Sequence, residues 1–189
     1  YAEVYWAAFR SGLYITTVNR HLSAEEAAYI IDDSGAEALV TSRQLADVAV
    51  LLPPWIPKCG LRLMADGVAP GYESYEDATA SHPPRPLAEQ PTGATMLYSS
   101  GTTGRPKGIK RPLSGRRVEE GEPVTRFLAS LFRFDQDTVY LSPAPIYHSA
   151  PLGFSMGLLA EGGTVVMMEQ FDPREALRCI ETHRCTHGQ

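Results

Sequence analysis

Between Met96 and Pro112 the chain reads MLYSSGTTGRPKGIKRP, and the ten residues from Ser99 to Gly108 include three Gly, four Ser or Thr and one Lys. These are residue types that receive an anion. Gly101 and Gly104 permit backbone conformations that turn successive N–H groups into one concavity. Ser99, Ser100, Thr102 and Thr103 carry hydroxyls of the right length to reach phosphate oxygens. Lys107 adds a point charge, and Pro106 stiffens its approach. A hydroxyl here could also ligate Mg2+, a hard cation that shares phosphate oxygens. The spacing is not Walker A: the position that needs Gly is Pro106, and Lys107 is followed by Gly108 instead of Ser or Thr. No G-x-G-x-x-G fingerprint occurs either. A surface turn could share the composition, but it would not need the apolar run ATMLY before it or a Lys behind a rigid Arg105-Pro106 pair. The expectation is a phosphate loop of a different design.

The elements around this loop must hold it. LSAEEAAYIIDDSG carries a capping box, Ser23 with Glu26, and Gly35 stands at the helix exit. AEALVTS then reads as a buried strand, RQLADVAVLL as a helix ended by Pro53-Pro54, and LRLMAD as a short strand. From Gly67 to Pro91 the Pro-, Gly-, Ser- and Glu-rich composition predicts a long surface connection, and TGATMLYSS resumes as the strand that enters the loop. Residues 111–123 read as a polar, mobile connection. Helix VTRFLASLFRF, strand DTVYLSP, helix APLGFSMGLLAEGG, strand TVVMME and helix DPREALRCIETHRC complete the chain. Strict alternation predicts an α/β fold, a mainly parallel sheet with helices on both faces. The Phe127, Leu128, Leu131 and Phe132 face is expected to pack in the core, with the wall of an acyl tunnel as the alternative.

The length of 189 residues, 43% hydrophobic and 21% charged, suits one globular core. A formal charge of −5 without a basic stripe argues against nucleic acid as partner. Three Cys at 59, 179 and 185 show no disulfide spacing and favour a reducing, cytoplasmic setting. No transmembrane segment is expected; peripheral membrane contact stays open. The chain opens without Met in mid-helical pattern and closes on RCTHGQ, the first residues of a strand. A piece of a longer polypeptide, incomplete at both ends, is expected. CIETHRCTH suggests a metal site, but Cys185 and His187 alternate in an extended stretch, so cap and core roles are preferred. His148 follows Pro143, Pro145 and Tyr147 in a stiff turn; it could line an acid pocket, touch phosphate, or serve the turn alone.

YSSGTTGRPKG resembles the signature loop of the adenylate-forming (AMP-binding) superfamily: acyl-CoA synthetases, luciferases and peptide-synthetase adenylation domains. AAFRSGLYITTVNRHLSAEEAAYIIDDSGAEALVTS is similar to the early part of acyl-CoA synthetases, and FDPREALRCIETHRCTHG to a later helix and strand start. SPAPIYHSAPLGFSM resembles their Pro-aromatic-His turn, which opens a helix along the acyl pocket. The resemblance covers nearly the whole chain. Asn19 is followed by Arg20 where Pro is commoner, and IKRPLSGRR lacks a His that many relatives carry after the loop.

The resemblance implies part of the large N-terminal domain of an acid–thiol ligase. A carboxylic acid, in the leading reading a fatty acid, would be activated by ATP and passed to the thiol of coenzyme A. Ser99, Ser100, Gly101, Thr102, Thr103, Gly104 and Lys107 would hold the β- and γ-phosphates, with Thr102 the Mg2+ ligand. Thr102, Lys107 and His148 are the catalytic candidates; Tyr147, His148 and Gly153 would line the acid site. Alternatives are an amino-acid or aryl-acid adenylation domain and a non-catalytic nucleotide-binding module. YHSAPLGFSMGLL holds no Asp to anchor a substrate amine, which disfavours the amino-acid reading. The family's later signatures lie beyond Gln189, so the segment alone is expected to be inactive.

Overall fold

The best-signalled helix forms where its caps dictate. Helix α2 (Ala24–Ser34) starts at Ser23, whose hydroxyl accepts from the Glu26 amide while the Glu26 carboxylate accepts from the Ser23 amide. It ends at Gly35, with φ of +68°, the left-handed geometry that glycine adopts without strain. The computed structural model describes residues 1–99 and 105–189. The chain folds as two units, residues 3–116 and 117–189.

In the first unit, α1 (Ala2–Phe9) leads to β1 (Tyr14–Ile15), then α2, β2 (Ala38–Ser42), α3 (Ala46–Ala49), β3 (Leu61–Ala65), β4 (Glu73–Ser74), α4 (Tyr75–Ala80), β5 (Ala94–Ser99) and β6 (Lys107–Lys110). One sheet has the order β2-β3-β4, all parallel, with Ala38 opposite Leu61 and Ser42 opposite Ala65. The other has the order β1-β5-β6, parallel between β1 and β5 and antiparallel between β5 and β6. Ala27, Ala28 and Ile31 of α2 pack with Leu52, Ile56 and Cys59, the apolar face that its periodicity requires.

In the second unit, α5 (Pro123–Phe132), β7 (Val139–Ser142), α6 (Ser149–Ala160), β8 (Thr164–Met167), α7 (Pro173–His183) and β9 (His187–Gly188) alternate. Central β7 pairs in parallel with β8 and β9. Phe134, Tyr140 and Phe154 form its aromatic core, with ring centroids 6.1–6.2 Å apart. The α/β class and mainly parallel pairing expected from alternation are present; β6 is the antiparallel exception.

Four local expectations need correction. RQLADVAVLL is not one helix: a 3-10 turn at Arg43–Leu45 precedes the single turn of α3, and a second 3-10 turn occupies Pro53–Trp55. No side chain caps α3, and Pro53 offers no amide to continue it. The 67–91 connection contains β4 and α4, because Ser74 accepts from the Asp77 amide and so starts a helix inside polar sequence. Residues 111–116 are anchored: the Thr92 amide donates to the Arg116 carbonyl at 2.9 Å. On α5, Phe127 and Leu131 are 64% and 59% exposed, so core packing fails for them. Ala129 is the residue that α5 buries, and at about 100° per residue positions 127 and 131 fall on the opposite side.

Candidate active site

Ser99 and Lys107 form the last cross-strand pair of the β5–β6 hairpin. The Ser99 hydroxyl lies 3.5 Å from the Lys107 carbonyl. Strand side chains alternate between faces, so the register puts Leu97, Ser99, Lys107 and Ile109 on one face and Met96, Tyr98, Gly108 and Lys110 on the other. Ser99, Lys107 and Ile109 are exposed, whereas Met96 is buried. The sequence-predicted residues Ser99 and Lys107 are therefore brought together on an open face. Ser100, Gly101, Thr102 (with its Mg2+ role), Thr103 and Gly104 lie outside the described residues.

The opposite face is held by neighbours. Tyr98 donates from its hydroxyl to the Asp33 carboxylate of α2 at 2.6 Å. Desolvation, and then this carboxylate, push the Tyr98 phenol well above its usual range, so the proton stays on Tyr98. Tyr29, one helical turn before Asp33, donates to the Pro106 carbonyl at 3.1 Å. The Arg105 guanidinium sits 5.1 Å from the Tyr29 ring centroid. Gly108 is closely covered: a Cβ there would stand 2.6 Å from Met96 Cε and 2.8 Å from Tyr98 Cζ, so one of these side-chain ends would have to shift. Beyond it, Lys110 lies 4.5 Å from the Tyr14 ring centroid and the Tyr14 hydroxyl donates to the Arg111 carbonyl at 2.7 Å. The path of the chain is thus fixed through Arg111.

The second predicted group lies in the second unit. After β7, residues 143–148 turn into α6, and His148 is the N-cap residue with extended backbone, φ −85° and ψ 151°. Its amide donates to the Pro145 carbonyl and its carbonyl accepts from the Leu152 amide, both at 3.1 Å. Its imidazole makes no capping bond; it packs at 4.6 Å, tilted 53°, on the Tyr147 ring. His148 is exposed and Tyr147 half-buried. Gly153 is exposed one turn after Ser149, and a Cβ there would meet nothing within 4 Å. Tyr147 and His148 are brought together, with Gly153 following on the outer side of α6.

No three His, Cys, Asp or Glu side chains among the described residues are grouped to hold a metal. The CIETHRCTH residues have other work. Cys179 is buried and its thiol is pushed up by desolvation and by Glu175. His187 engages the Phe132 carbonyl at 2.9 Å and the Thr186 hydroxyl at 2.8 Å. Sequence reasoning passed over Tyr14, Tyr29, Asp33 and Tyr98 as site residues. The available signal was the i, i+4 pair Tyr29/Asp33 on α2 and a Tyr directly before the Ser-Ser of the loop.

Comparison with known proteins identifies the family. A family model described as AMP-binding enzyme matches residues 1–189. The 4-coumarate–CoA ligase-like 6 of Arabidopsis thaliana is 36% identical over 121 residues, covering 62% of this chain and 21% of that protein. The 4-hydroxybutyrate–CoA ligase 2 of Metallosphaera sedula is 26% identical over 199 aligned residues, 99% of this chain and 35% of its own length. The N-terminal domain of FACL13 from Mycobacterium tuberculosis matches the fold with a TM-score of 0.74 at 23% identity, over 94% of this chain and 43% of that one. The chain thus spans 21% to 35% of the length of these two curated relatives. With the family model matched from its first residue to its last, the chain belongs to the AMP-binding enzyme family.

Proposed function

We propose that this chain is the phosphate-holding part of an acid–thiol ligase. In the first half-reaction a substrate carboxylate oxygen attacks the α-phosphorus of ATP, pyrophosphate departs, and an acyl-adenylate forms. In the second, the thiol of coenzyme A attacks the acyl carbon and AMP leaves. A carboxylate is a poor acyl donor because its leaving group would be oxide; adenylation replaces that group with AMP. The protein's task in the first step is to orient the triphosphate and to neutralise charge on the departing pyrophosphate. The observation that carries the reading is the exposed Ser99–Lys107 pair at the mouth of a hairpin braced from behind.

Lys107 would offset charge on the β- and γ-phosphates, with the Ser99, Ser100, Thr102 and Thr103 hydroxyls and the amides of Gly101 and Gly104 around them. The described hairpin mouth offers hydroxyl but no carboxylate, since Asp33 is engaged on the other face by Tyr98. That donor set fits Mg2+ carried on phosphate oxygens and touched by Thr102, not a metal caged by protein. Bound there, Mg2+ would further neutralise the polyphosphate. Tyr147, His148 and Gly153 would contact the acid. The apolar make-up of α6 favours a medium or long hydrophobic acid; an aryl acid is the second reading, favoured by the likeness to a protein named for 4-coumarate. Three free cysteines suit a reducing, cytoplasmic setting, and no helix among the described residues is long and apolar enough to cross a membrane. The 189 residues alone would not complete the cycle.

The test is ATP–pyrophosphate exchange, with a panel of fatty, aryl and short acids, by a polypeptide of the relatives' length that carries this chain. Acid-dependent exchange is expected; absence of exchange with every acid would contradict the reading.

A further inference from the structure

The loop residues are flanked by two stems, and one edge of α2 touches both. Asp33 takes the Tyr98 hydroxyl on the entering stem at 2.6 Å. Tyr29, four residues earlier and on the same side of the helix, donates to the Pro106 carbonyl on the leaving stem at 3.1 Å and carries the Arg105 guanidinium over its ring. The Pro106 carbonyl belongs to the peptide plane that also contains the Lys107 nitrogen, so the Tyr29 hydroxyl fixes the plane from which Lys107 projects. Tyr98 in turn lies against Gly108, directly across the ladder, where any larger residue would lift its ring. On the opposite face of the hairpin, Ser99, Lys107 and Ile109 are exposed.

We propose that Tyr29 and Asp33 of α2 are positioning residues that aim Lys107, by gripping the two stems of the hairpin through Pro106 and Tyr98. The proposal rests on the nucleotide reading of that hairpin. A cation on a long, flexible side chain contributes to charge stabilisation only when its base is fixed. Here the base is fixed from the face that the ligand does not use. The Asp33–Tyr98 bond runs from a phenol that keeps its proton to a carboxylate, the stronger class of hydrogen bond. α2 is itself anchored by its buried alanines and Ile31, so its outer edge is a rigid base for the grip.

The variants Tyr29→Phe, Asp33→Asn and Tyr98→Phe each remove one group without emptying space. In the polypeptide used for exchange assays, Tyr98→Phe should raise KM for ATP about tenfold, as expected for a lost charge-assisted bond, and Asp33→Asn, whose amide oxygen can still accept from Tyr98, about threefold. Tyr29→Phe should raise it about threefold, as expected for a neutral one. The double variant Asp33→Asn/Tyr98→Phe should do no more harm than Tyr98→Phe alone, because the two share one interaction. The inhibition constant for AMP, which lacks the β- and γ-phosphates, should stay within about twofold, as should KM for the acid. Amide hydrogen exchange of residues 107–110 should quicken while that of α2 does not. Equal losses for ATP, AMP and acid, or exchange quickened throughout α2, would show simple destabilisation and overturn the proposal. Unchanged KM for ATP in all three variants would also overturn it. A parent polypeptide without exchange activity on any acid would instead overturn the nucleotide reading; the exchange rates of 107–110 would then still decide whether α2 grips the hairpin.

Discussion

The β5–β6 hairpin and the turn at residues 143–148 both carry candidate chemistry, yet they are held in different ways. Side chains from two other elements brace the hairpin: Tyr14 of β1 on Arg111, and Tyr29 and Asp33 of α2 on Pro106 and Tyr98. In the turn, backbone bonds run through Pro145 and the first turn of α6, and its imidazole gives no capping bond. Charge stabilisation depends on donors that need not reorganise when charge develops, so a phosphate site benefits from bracing. Contact with an acid's carbon skeleton would be less demanding of angle, which suits the exposed His148 and Gly153 proposed to make it. On the proposed reading, the contrast separates a braced hairpin that would hold phosphate from a turn that would contact the acid.

The largest effects should fall on the hairpin mouth. Lys107→Ala or Thr102→Ala should lower the exchange rate by about 10²-fold, the ~3 kcal/mol that one preorganised donor typically supplies. Near-normal exchange in both would remove the phosphate assignment. Gly108→Val should come next, costing ~1–3 kcal/mol of stability in a denaturant titration because its side chain must displace Tyr98 or Met96. An undiminished midpoint would mean that the ring does not need its place over Gly108.

His148→Ala tests the other half of the contrast. It should raise KM for the acid about tenfold, roughly the worth of one good contact, and leave KM for ATP unchanged. An unaltered acid KM would return His148 to a residue that merely starts α6. The smallest effect belongs to Tyr140, whose buried hydroxyl has no hydrogen-bond partner among the described residues. Tyr140→Phe should leave stability unchanged or raise it by up to ~1 kcal/mol, since it removes a buried unpaired group. Burial pushes the Tyr140 phenol up to about 12. An unfolded Tyr ionises near ~10, so the folded state holds this proton longer. Its contribution is complete below pH ~10 and is lost as pH climbs towards the folded value. The Phe variant should therefore show a flatter alkaline fall in thermal melting; an identical fall in both proteins would contradict the assignment.

Local signals read well here, and distant pairings did not. Ser23 with Glu26 and the left-handed Gly35 fixed both ends of α2 from sequence, and the 124–183 alternation gave α5, β7, α6, β8 and α7 in order. The two-residue strand β1 was missed because its extended geometry comes from pairing with β5, eighty residues on (Tyr14 with Ala94), not from its own pattern. Lys107–Lys110 reads as polar chain and becomes a strand only through the register with β5. The Tyr29–Pro106 and Asp33–Tyr98 bonds join residues far apart in the chain, so no periodicity could announce them. The motif residues were legible because their types and order form a family signature; the brace behind them was not, because many side chains could supply it.

Backbone amide chemical shifts followed while MgATP, and separately AMP, is added test the central claim most directly. With MgATP, the amides from Ser99 to Lys107, Pro106 excepted, should show the largest changes in the first unit, and AMP should leave them nearly unmoved. Shifts of equal size with both nucleotides, or none in that segment with ATP, would contradict the account.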